Sequence, residues 1–108
     1  MFNIEDVFKD IKDEGSKLVK DEFVNLFNQA ITESDGQVKE NTEKVKEWCA
    51  ALCSGKLNKD EFKTLLEAQK RKMEQYVLTK EIQTRAKLEK LTVGLIELTV
   101  KTVLKLRP

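Results

Sequence analysis

Apolar residues recur three and four apart along nearly the whole chain, which places them on single faces of successive helices. In the first stretch Ile4, Val7, Phe8 and Ile11 form a stripe that Leu18, Val19, Phe23, Leu26, Phe27, Ala30 and Ile31 continue. This predicts a first helix from about Asn3 to Glu33, continuous or slightly bent at Gly15. Asn3 is placed to cap it, with Glu5 and Asp6 in the first turn, where the helix dipole favours negative charge. A second run, from about Gln37 to Cys53, puts Val38, Val45, Trp48, Cys49, Leu52 and Cys53 on one face. A third begins after Asn58 with the stripe Phe62, Leu65, Leu66, Gln69, Met73, Tyr76 and Val77, and meets no proline before Pro108. Glu67 with Arg71, Glu81 with Arg85 and Arg85 with Glu89 are spaced as ion pairs on its exposed side.

Turn signals are confined to Glu33–Gln37 and Cys53–Asn58. The second is short enough to make an antiparallel helical hairpin at 54–58. Gly55 suits the left-handed residue that ends a helix. Asn58 can cap the next one, with Glu61 three residues on completing a capping box. Leu57 and Phe62 stand on either side of that cap as a hydrophobic staple.

The end of the chain has a different character. From Leu91 to Leu106 the only charges are Glu97, Lys101 and Lys105, four apart, so a helix here is apolar around most of its circumference. Its threonines and valines also suit a strand, but no second strand candidate exists to pair with it. An unbroken helix from Lys59 to Lys105 would be about 70 Å long, and the second helix would cover only about 26 Å of it. The apolar segment then has no obvious partner in its own chain. Either the third helix bends or breaks near 78–83 and folds back, or another copy covers it. Each leucine left exposed forgoes about 1.5–3 kcal/mol. The expected interaction face is therefore Leu91, Leu95, Ile96, Leu98, Val100, Val103 and Leu104, and the expected assembly a homo-oligomer, in the first place a dimer.

Composition agrees with one helical domain over residues 1–108. One proline and four glycines leave few connections, and 40% hydrophobic residues are too many for a disordered chain. The net charge of +1 hides an asymmetry: residues 1–36 carry four Lys against nine Asp and Glu, and residues 37–108 carry sixteen Lys and Arg against ten Asp and Glu. This predicts a bundle whose acidic first helix lies near basic ones. The opening "MFNIEDVFKDIKDE" lacks the pattern of a secretory signal, and two cysteines in that setting read as reduced thiols, so a cytoplasmic location is expected.

Candidate chemistry changes little. Gly55 to Phe62 looks like the back half of a calcium-binding EF-hand loop, with Glu61 at the bidentate position. The three front ligand positions, however, hold Ala50, Leu52 and Ser54, two of which have no side-chain oxygen. Cys49 and Cys53 would need further sulfur or nitrogen ligands for zinc, and the chain has no histidine. The same absence excludes histidine-based catalytic triads. No glycine-rich phosphate loop occurs. Lys70, Arg71 and Lys72 are consecutive and fan around a helix, which does not suit a nucleic-acid face. The expected fold is thus all-α: a bundle of two shorter helices and one long C-terminal helix. The expected function is a non-enzymatic protein–protein interaction module without metal or cofactor, self-associating through that helix. The alternative is peripheral membrane association through residues 88–107, with Lys101, Lys105 and Arg107 beside the apolar face.

Overall fold

In the computed structural model, which describes residues 2–8 and 14–106, the chain opens with a 3-10 turn, Ile4–Phe8. The first stretch is therefore not one α-helix from Asn3. The Asn3 side chain accepts from the Glu5 amide at 3.0 Å, and the Asp6 carboxylate accepts from the Asn3 amide at 3.0 Å, which closes a local turn. Helix α1, Glu14–Ile31, follows, with Gly15 inside its first turn. Ile11, Arg107 and Pro108 lie outside the described residues. Phe8 meets Phe23 edge to face with ring centres 5.6 Å apart, so the opening turn is pinned to α1 by aromatic packing. Leu18, expected on the buried stripe, is 74% exposed, because the packed part of α1 begins near Phe23.

Helix α2, Gly36–Cys53, starts at Asp35, whose side chain caps it by accepting from the amides of Gln37 (2.9 Å) and Val38 (3.1 Å). It ends at Cys53, and two residues on stands Gly55, the only residue with positive φ among those described (80°). Helix α3, Lys59–Leu78, then begins with both bonds of the capping box: Asn58 accepts from the Glu61 amide at 2.8 Å, and Glu61 accepts from the Asn58 amide at 2.9 Å. Phe62 is fully buried beside this cap, and Leu57 is partly buried against the same core.

The long third helix is broken. After Leu78 the chain turns through Thr79, Lys80 and Glu81 and resumes as α4, Ile82–Glu89. A five-residue π segment, Lys90–Gly94, leads into α5, Leu95–Leu106. The longest dimension of the molecule is 41 Å, well short of the roughly 70 Å of an uninterrupted helix. The break returns α5 to its own chain, where it packs on α1 and α3. The π segment touches α1, α2 and α3, so it lies at the centre of the bundle, and Leu91, Thr92 and Val93 are buried in succession.

Several buried positions are polar. The Gln69 amide donates to Asn41 Oδ1 at 2.9 Å between α3 and α2, joining two stripes through a hydrogen bond inside the core. Thr42, Thr92 and Thr99 donate back to the carbonyls of Val38, Leu88 and Leu95 at 2.6–2.8 Å. Each of these three hydroxyls is thereby satisfied by the carbonyl one turn back, which lowers the cost of burying it.

Candidate interaction surface

The face expected to meet a second copy or a lipid surface is largely enclosed. Leu91, Leu95, Ile96 and Val103 are buried in the monomer core, and Leu98, Val100 and Leu104 are partly buried against it. The premise that this segment lacks a partner in its own chain does not hold, because the break at Thr79–Glu81 supplies α1 and α3 as that partner. Its polar strip points outward: Glu97, Lys101 and Lys105 are exposed, and Glu97 binds Lys70 of α3 at 3.2 Å. No helix among the described residues is long and apolar enough to cross a membrane.

Besides Leu18 on α1, the exposed large apolar side chains among the described residues form a pair elsewhere. Leu78, the last residue of α3, is 61% exposed, and Ile82, the first of α4, is 79% exposed. They flank the same corner. Beside it runs a groove walled by Glu74, Val77, Leu78, Glu89 and Val93. Leu78 and Ile82 fall off the stripe that continues through Met73 and Val77, and their shared departure from it is the one trace they leave in the sequence.

Polar contacts hold this corner in place. The expected pairs Glu81–Arg85 and Arg85–Glu89 do not form. The Arg85 guanidinium instead donates to the carbonyls of Lys80 (2.8 Å) and Leu78 (3.1 Å), two acceptors left without a helical partner where α3 ends. The Tyr76 hydroxyl donates to Asp35 Oδ2 at 2.7 Å, which ties α3 to the cap of α2. The Lys80 ammonium sits 4.8 Å from the centre of the Tyr76 ring. Lys87 of α4 reaches Glu33 at 3.2 Å, just past the end of α1, so the acidic and basic parts of the chain meet at this point.

These contacts set the protonation of two groups. Burial works to raise the Asp35 carboxyl. The Tyr76 hydroxyl, the Val38 and Gln37 amides and the nearby Lys80 outweigh it, and the net pKa is lowered. Burial and the hydrogen bond to Asp35 push the Tyr76 phenol up.

The remaining candidates have ordinary surroundings. Cys49 is buried and Cys53 half-buried on α2, and neither forms a disulfide. Among the described residues no group of three or more Cys, Asp or Glu is placed to hold a metal ion. Within the basic run, Lys70 turns toward Glu97 while Arg71 and Lys72 are exposed. No family model matches the chain, and no curated protein or solved structure is significantly similar to it.

Proposed function

We propose that the protein is a non-enzymatic helical interaction module that associates with a second copy of itself through the α3–α4 corner. What supports the reading is the position of Leu78 and Ile82, two large apolar side chains mostly open to solvent on either side of one turn. In a two-fold contact a patch faces its own copy, so an apolar corner complements itself where a like-charged one would not. The groove beside the corner, floored by Val77 and Val93, adds apolar surface next to it. The binding partner is then another chain of the same sequence.

Sedimentation velocity across a concentration series tests the proposal. A dimer that grows with concentration, and that Leu78→Glu weakens while the helical signal is kept, is the expected result. A monomer at every concentration would contradict it.

A further inference from the structure

From the geometry of the corner we infer that two copies associate by exchanging α4–α5, each chain's C-terminal unit filling the place of the other's. This rests on self-association as proposed above and specifies how it happens. The turn contains neither glycine nor proline, and no residue in it has positive φ. Thr79 is already close to helical (φ −80°, ψ −8°), and Glu81 departs from helical geometry in ψ alone (φ −62°, ψ 146°). The sequence Leu78-Thr79-Lys80-Glu81-Ile82 can therefore run on as an uninterrupted helix once a few backbone angles change.

In that open form Leu78 accepts from the Ile82 amide and Lys80 from the Thr84 amide, replacing the bonds that Arg85 now gives to the same carbonyls. The apolar face of α5 leaves its own core, and only an identical core recovers what it loses: the seats of Leu95, Ile96 and Val103 on α1 and α3. A second copy provides that core by construction, and exchange of an identical element is a low-cost route to a dimer. On the straightened helix Leu78 and Ile82 stand four apart on one face. Two such helices crossing at the hinge bury these side chains against each other. Leu78 and Ile82, two of the three large apolar side chains exposed among the described residues of the closed monomer, are thereby covered in the open dimer.

The Lys70–Glu97 ion pair reports which chain owns the α5 seated on a given α3. Natural-abundance and heavy-isotope chains are refolded together, and dimer and monomer are separated by size. Each fraction is treated with a carbodiimide, which joins the paired amine and carboxylate directly, and the linked peptides are read by mass spectrometry. Exchange predicts Lys70–Glu97 links of mixed isotope in the dimer, as abundant as same-isotope links, and only same-isotope links in the monomer. A dimer with same-isotope links alone overturns the exchange and leaves surface association standing. A monomer at all concentrations overturns both. Ile82→Pro gives an independent reading, since proline suits the first residue of α4 after an extended Glu81 but breaks a continuous helix. It should lower the dimer association constant more than roughly a hundredfold with the monomer fold intact. Ile82→Ala should lower it far less. Equal losses in the two variants would overturn the exchange.

Discussion

The α2–α3 corner and the α3–α4 corner both reverse the chain between helices, and they are built in opposite ways. At the first, the turn is made by its own backbone: Gly55 in the left-handed region, then Asn58 and Glu61 capping each other's amides. At the second, nothing within Thr79–Glu81 forces a turn. The corner is held from outside by Arg85 on two carbonyls, Tyr76 on Asp35 and Lys87 on Glu33. The first corner is a property of eight consecutive residues. The second takes two of its contacts from Arg85 within Leu78–Arg85 and the other two from Asp35 and Glu33, so part of what holds it closed depends on where the ends of α1 and α2 lie. A locally encoded turn aims α3, and a turn held by its surroundings decides where α4 and α5 go.

Variants separate the two kinds of corner. The largest effect is expected at Phe62, which anchors the first corner in the core. Phe62→Ala should cost about 3–5 kcal/mol in chemical denaturation. A loss below about 1 kcal/mol would mean that the staple does not fix the hairpin. Gly55→Val places a branched side chain at φ 80° and should cost about 1–2 kcal/mol, again as lost stability with no change in solution mass. The cost comes from the backbone angle, since the space around Gly55 is open.

At the second corner the expected stability changes are smaller. Tyr76→Phe removes one donor to Asp35 and should cost about 0.5–1.5 kcal/mol. Its signature is in pH. The Asp35 pKa is lowered on folding, so its contribution is present above the ordinary value of 3.8 and is lost as pH falls below that through the folded-state value. The Tyr76 pKa is raised, so its contribution is present below the ordinary 10.0 and is lost as pH rises through the folded-state value. Tyr76→Phe should therefore flatten both limbs of the stability profile recorded by thermal melts. An unchanged profile would place the Tyr76–Asp35 bond outside the forces that hold the corner.

What was legible in the sequence follows the same division. The stripe through Phe62, Leu66, Gln69, Met73 and Val77 and the cap at Asn58 depend on spacing within a few residues, and the helices form accordingly. The break after Leu78 was legible only as one of two ways to cover an apolar C-terminal segment. Its cause, packing of α5 on α1 and α3, joins residues distant in sequence. The exposure of Leu18 and the burial of Asn41 and Thr42 are likewise outcomes of helix placement, which periodicity alone does not specify. The spacing of Arg85 from Glu81 and Glu89 suits ion pairs on a continuous helix. Once the helix breaks, bare carbonyls compete for the guanidinium and win it.

The closed corner has one consequence that a single distance can test. Labels at Asp60, near the start of α3, and at Lys105, near the end of α5, are read by single-molecule energy transfer at concentrations where the chain is monomeric. The folded-back arrangement predicts a separation within the molecule's longest dimension of 41 Å. A dominant separation near the roughly 68 Å of an uninterrupted helix would contradict it.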